Sequence, residues 1–215
     1  MSNIIFISNA RLSFPSLVEP RSSVDTPGAK KKYSVDVIIK QDNPSFAQFM
    51  AEVQAVAVAK WGEHANNVLS MIQNDRKLRC YGSGNEKIDK KTFKPYVGYE
   101  GMAYISANKE DPPQMIQADG SAVAEGNTMA YQALARKMYG GCYVNIAVRP
   151  WTQDNTHGRG IRCDLIAVQF AGDGEAFGEG RADASSMFGQ VAAVDAPAPA
   201  PSFTGFAVTP SFLSN

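Results

Sequence analysis

Cationic and aromatic side chains alternate with apolar ones in three stretches of this 215-residue chain. The pairing has a definite chemistry: Lys and Arg neutralise a phosphate backbone, and exposed rings stack on unpaired bases. Over residues 76 to 81 the sequence RKLRCY reads as a strand, whose period of two puts Lys77, Arg79 and Tyr81 on one side and Leu78 and Cys80 on the other. In CYVNIAVRPW, Cys142, Val144, Ile146 and Val148 form an apolar face, and Tyr143, Asn145, Arg149 and Trp151 share the opposite one. Between the two lies KIDKKTFKPYVGY, where Lys87, Lys90, Lys91 and Lys94 are interleaved with Phe93, Tyr96 and Tyr99. The candidate contact set for a single strand is therefore Lys77, Arg79, Tyr81, Lys91, Phe93, Lys94, Tyr96, Tyr143, Arg149 and Trp151. Any one of these strands has a plainer reading, since exposed cations solubilise a half-buried sheet and Tyr and Trp are enriched in strands. Recurrence in three segments favours the nucleic-acid surface.

Other chemistries fit less well. Asp89, Lys90 and Lys91 with Glu86 imitate part of a metal-dependent nuclease site, but acids in a lysine-rich loop more often serve as solvated counter-charges. No GxxxxGK[ST] phosphate loop is present, and Gly82-Ser83-Gly84 reads as a turn. Neither His64 nor His157 has a nucleophile beside it in sequence. Cys80, Cys142 and Cys163 lie far apart without a CxxC pair, which predicts buried thiols in a reducing compartment and no structural metal or cofactor. A third reading, an adaptor that uses its sheet for protein contacts, predicts no salt-dependent affinity for DNA.

Charge is balanced overall and uneven in detail. Residues 76 to 94 hold seven Lys or Arg against Glu86 and Asp89, and residues 165 to 215 hold Arg181 against five acids. The core is thus mildly basic and the C-terminal part mildly acidic. The start, MSNIIFISNARLSF, is interrupted by Ser8, Asn9 and Arg11 and lacks the form of a leader, and no span reaches transmembrane length, so a cytosolic protein without membrane contact is expected.

The elements that must carry these residues follow from periodicity and punctuation. Strands are expected over 3–14, 32–40, 76–81, about 97–107, 142–151 and 160–170, with Gly98 and Gly101 bending the fourth. Tyr33 falls on the apolar face with Val35, Val37 and Ile39 and is read as core; Lys30, Lys31 and Lys32 end a loop and stand open between phosphate contact and solvation. Asn43 before Pro44 predicts a helix start, continuing to about Trp61 with Phe46, Met50, Val53 and Ala57 inward and Gly62 as a stop. A shorter helix over 64–73 turns Val68, Leu69 and Ile72 inward, and 128–138 has helical character. Clean βαβ repeats are missing, so the fold class is mainly β with helical insertions: an OB-fold, a small Greek-key barrel, over residues 1–180. A flexible Gly/Ala/Pro-rich tail follows over 181–215, disordered from about residue 190.

The order and spacing of several motifs also resemble a bacteriophage single-stranded DNA-binding protein family, long catalogued as a domain of unknown function. They are RLSFPSLVEP, KYSVDVIIK, the KWG of Lys60 to Gly62, GGCYVNIAV, the GRGI of Gly158 to Ile161, the LIAVQ of Leu165 to Gln169, and DGEAFGEGR followed by SSMFG, spanning about residues 10 to 189. The resemblance implies a non-enzymatic OB-fold protein that coats single-stranded DNA with little sequence preference during phage DNA replication or recombination, inside the host cytoplasm. Its partners would be single-stranded DNA and, through the tail, replication or recombination proteins. The chain departs from the family pattern at 121–139, where a longer helical segment precedes GGCYV. It also lacks an acidic tail end: Phe203, Phe206 and Phe212 are present, but residues 196 to 215 contain no acid, which argues against charge-based recruitment.

Overall fold

The computed structural model describes residues 2–22, 28, 30–156 and 158–178. Within the unit Met1–Gly180, β1 (Ile5–Arg21), β2 (Lys32–Ile39), α1 (Pro44–Trp61), α2 (Ala65–Gln73), β3 (Tyr81–Ser83), β4 (Ala103–Lys109), β5 (Gln114–Ile116), α3 (Thr128–Lys137), β6 (Tyr143–Asn155) and β7 (Gly158–Gly172) follow in order. The tail expected from 181, with its disorder from about 190, lies outside the described residues.

Antiparallel pairing joins β4 to β2, β2 to β1, β1 to β6 and β6 to β7. One parallel bridge, Asn108 to Asp164, joins β4 to β7 and closes the ring. Five strands in the cyclic order β1-β2-β4-β7-β6, with helical insertions, make the small Greek-key barrel of an OB-fold. The interior is filled by the inward residues of each alternation: Ile7 and Leu12 from β1, Val35, Val37 and Ile39 from β2, Val144, Ile146 and Val148 from β6, and Ile161, Cys163, Leu165 and Val168 from β7.

The first helix forms where its caps predict. The Asn43 side chain accepts from the Ser45 amide at 2.8 Å, Pro44 occupies the first turn, and Gly62 ends the helix at φ 54°. Its buried stripe is rotated toward Phe49, Val53, Ala57 and Trp61; Phe46 and Met50 are half-buried at the edge of the core. In α2, Val68 and Ile72 point inward as expected and Leu69 is half-buried.

Two strand expectations are corrected. RKLRCY is not a strand: the Asp75 carboxylate accepts from the Lys77 amide at 2.8 Å and turns Arg76–Leu78 into a 3-10 turn, so extended pairing begins only at Tyr81. The strand expected from about 97 begins at Ala103, because Gly98 and Gly101 adopt φ values of 83° and 70° in successive turns that no ladder accommodates. The segment 84–102 is instead a long loop laid over the outer face of β2 and β4. Asp36 on β2 anchors it, accepting from Lys87 Nζ at 2.7 Å, the Tyr99 hydroxyl at 2.9 Å and the Ser106 hydroxyl at 2.5 Å. Tyr99 and Tyr104 with Ile38 form a second small apolar cluster under that loop. Burial, reinforced by the Asp36 charge, pushes the Tyr99 hydroxyl well above its ordinary range.

Candidate nucleic-acid interface

A groove of about 1080 Å³ crosses the outside of the barrel where the ring closes. One row of paired residues runs from strand to strand: Ser16 to Ser34, Ser34 to Asn108, Asn108 to Asp164, all lining the groove, and Asp164 to Arg149 just beyond its lining. Four interstrand steps make a path of about 19 Å, room for about five nucleotides at stacked spacing.

The two ends of that path carry rings. Trp151 projects from β6 with 38% of its surface exposed, and its indole N–H donates to Asp164 at 2.8 Å, which fixes the ring's orientation in the groove. At the other end, Phe14 is 52% exposed although it sits within β1. The register of β1 against β2 shifts between Ser13 and Ser16, and Phe14 takes a φ of 45° at this irregularity. A left-handed conformation is costly for a bulky residue, and such bulges turn a side chain out of its strand's alternation. The Phe14 ring meets Tyr96 edge-on at a centroid distance of 4.9 Å.

Between the rings the groove is lined by Arg21, Lys30, Lys32, Lys109 and Arg162, against Glu110, Asp111 and Asp164. Lys30 is paired with Glu110 at 2.9 Å. Among the described residues Arg162 is held by neutral groups, donating to Gln153 Oε1 and to the Lys77 carbonyl, both at 2.8 Å, and neither of these contacts neutralises its charge. This contact also brings the exposed Lys77 to the groove's edge. Arg149 closes the row, its Nε buried with no partner among the described residues.

Loop 84–102 adds a separate basic tip. Asp89 organises it, accepting from the Lys91 amide at 2.9 Å and the Thr92 hydroxyl at 3.1 Å; the Lys91 amide is the chief reason its carboxyl is held below the usual range. Phe93 is 82% exposed at φ 56°, flanked by the exposed Lys91 and Lys94. Tyr96 lies three residues further on, so the tip stands within about 11 Å of chain from the Phe14 contact.

Of the residues expected at the surface, two are buried and a third stands away from the groove. Arg79 is only 7% exposed: it donates to the Gln73 carbonyl at 3.2 Å, the Tyr81 carbonyl at 2.6 Å and Glu86 at 2.6 Å, tying the segment between α2 and β4 together. Tyr81 is 5% exposed and packs edge-on against Phe49 in the main core. With the 3-10 turn in place of a strand, the alternation assumed for RKLRCY is out of phase, and both side chains turn inward. Tyr143 is outward on β6 as expected, but the Arg11 guanidinium lies 5.1 Å from its ring centroid, eight residues along the strand from Trp151. It does not line the groove. Arg21, Lys32, Lys109, Arg162 and above all Phe14 join the candidate set instead.

The family model for the single-stranded-DNA-binding protein of Enterobacter phage Enc34 matches residues 3–197. The chain belongs to the Enc34 phage single-stranded-DNA-binding protein family. A relative, protein p50 of Acyrthosiphon pisum secondary endosymbiont phage 1, is 32% identical over 174 residues, covering 80% of this chain and 85% of its own. Among solved structures, the bacteriophage Enc34 single-stranded DNA-binding protein in complex with single-stranded DNA superposes with a TM-score of 0.61 at 24% identity, covering 81% of this chain and 89% of that one. The same phage protein without DNA gives a TM-score of 0.56 over 86% of this chain and 89% of that one, also at 24% identity. These likenesses agree with the OB-fold read from the strand order.

The Enc34 family is non-enzymatic, and the acids that imitated a nuclease site are otherwise engaged here: Glu86 pairs with Arg79, and Asp89 caps its own loop. The three cysteines are buried free thiols, and burial pushes Cys142 up to about 11, far from the reactive thiolate. Among the described residues no helix is long and apolar enough to cross a membrane.

Proposed function

We propose that single-stranded DNA crosses the barrel along the closure groove, with bases against Phe14 and Trp151 and phosphates against Arg21, Lys32, Lys109, Arg149 and Arg162. Membership of the Enc34 family makes the chain a single-stranded-DNA-binding protein; the route and the contacts are our reading. One observation supports it most: two exposed rings stand at opposite ends of a single cation-lined groove that runs across the strands. Ring stacking accepts every base, and phosphate contacts carry no sequence information, so this surface binds with little sequence preference. Lys77 at the groove's edge and Lys91, Phe93, Lys94 and Tyr96 on the basic loop extend the contact beyond the Phe14 end. The protein then coats single strands during phage DNA replication or recombination in the host cytoplasm, with the tail available to partner proteins.

The test is a titration with a labelled oligonucleotide at several salt concentrations, with and without magnesium. Log affinity should fall linearly with log salt, by about 0.7 for each phosphate neutralised, and the oligonucleotide should remain intact with magnesium present. A flat salt response would reject the groove, and magnesium-dependent cleavage would reject the non-enzymatic reading.

A further inference from the structure

The segment that follows β7 is threaded back onto the barrel as a strap. The Phe177 amide donates to the Gly140 carbonyl at 2.8 Å, and the Gly174 amide donates to the Tyr139 hydroxyl at 3.1 Å. Arg11 Nη2 donates to the Glu175 carbonyl at 2.5 Å, while its Nε holds the Gly141 carbonyl at 2.6 Å. The Arg11 guanidinium lies between two rings, 4.6 Å from the Phe177 centroid and 5.1 Å from that of Tyr143.

Phe177 is where this strap meets the DNA-binding loop. Its ring rests on the bare Cα of Gly98, where any side chain would collide with it and where φ is 83°. It packs on the cluster of Ile38, Tyr99 and Tyr104, as does Tyr96. Tyr96 in turn meets Phe14 at 4.9 Å, and Tyr99 lies 6.2 Å from the same ring. A contiguous chain of packed groups thus runs from the strap through Gly98 and Tyr96 to the ring at one end of the groove.

We propose that Phe177 is a positioning residue for DNA binding. By clamping residues 96–99 it holds Tyr96 against Phe14 and keeps the Phe14 ring presented to a base. The proposal rests on the stacking reading of Phe14. Its physical basis is that a ring held at a costly backbone conformation needs surrounding contacts to stay there, and a ring that has to be ordered on binding gives up part of its stacking energy to that ordering.

The experiment is a double-mutant cycle in the full chain, with affinities for oligo-dT measured per folded molecule. Phe177→Ala should weaken binding by about three- to tenfold, part of what a lost stacking contact costs, with an unchanged salt slope because no phosphate contact is touched. Phe177→Leu, which keeps an apolar group over Gly98, should recover most of the loss. In a Phe14→Ala background, Phe177→Ala should cost nothing further. Equal losses with and without Phe14, a lowered salt slope, or a loss explained by the unfolded fraction would each overturn the positioning role. Phe14→Ala weakening binding while Phe177→Ala is silent would overturn the strap alone; a silent Phe14→Ala would remove the stacking reading and the strap with it.

Discussion

Trp151→Ala probes one end of the groove with the cleanest signal the chain offers. The ring is 38% exposed, and its one hydrogen bond, to Asp164 at 2.8 Å, orients it across the path between Asp164 and Arg162. If a base rests on it, truncation removes about 1–3 kcal/mol of stacking, or about five- to 150-fold in Kd. The buried part of the ring also packs against the sheet, at up to about 3 kcal/mol of folding stability, so affinity has to be measured on protein whose folded fraction is known from circular dichroism. The chain holds two tryptophans, and the other, Trp61, is buried with its indole N–H on Asp154 at 3.0 Å. Emission quenched by oligo-dT should therefore come from Trp151. Trp151→Phe should keep most of the affinity and lose the quench, while Trp151→Ala should lose both. Unquenched emission at saturation, or full affinity in Trp151→Ala, would refute the placement of a base on this ring.

Replacing Lys91 and Lys94 together by Ala should lower the salt slope by about 1.4 if both touch phosphates; an unchanged slope in anisotropy titrations would make the loop tip a solvated surface. Arg79→Ala should destabilise the fold by about 2–4 kcal/mol, since it strands buried carbonyls and Glu86, and should leave the salt slope intact; a lowered slope in a stably folded variant would return Arg79 to the interface. The Trp61 indole N–H, helped by Arg159, holds the Asp154 carboxyl below its usual range. Its folded-state value being lowered, the stability it contributes is present above the ordinary Asp range, near 3.9, and is lost as pH falls through the lowered value. Asp154→Asn should thus melt below the parent at pH 7 and converge with it at the acid end; parallel melting curves would contradict the assignment.

Periodicity carried the barrel well where strands are long and one-sided. The alternation of β6, with Val144, Ile146 and Val148 inward and Arg149 and Trp151 outward, is the alternation in the structure, and Asn43-Pro44 marks the start of α1. It failed over RKLRCY because one capping carboxylate, Asp75, converts three residues to a turn and shifts the phase of every residue after it. Burial of Arg79 was illegible for a related reason: its partners are two backbone carbonyls and Glu86, which sequence does not place side by side. Phe14 was hidden inside an apolar strand, yet a signal existed. Pro15 follows it directly, and a proline within a long strand marks a bulge or an edge, where a neighbouring side chain can be turned outward. Lys32, Lys109 and Arg162 are distant in sequence: the β2–β4 ladder brings Lys32 and Lys109 together, and Arg162 joins them through the β4–β7 closure, a single parallel bridge that no local pattern announces.

The central claim is the route of the strand, and photocrosslinking tests it most directly. Oligo-dT carrying 5-iodo-deoxyuridine at single positions would be irradiated with the full-length protein and the crosslinked peptides mapped by mass spectrometry. The route across the barrel predicts crosslinks at Phe14 and Trp151 from the same oligonucleotide, at positions a few nucleotides apart, and none at Tyr81. Crosslinks confined to Tyr143 or to the exposed Phe6 on β1, with Phe14 and Trp151 unlabelled, would place the DNA on another face and contradict the account.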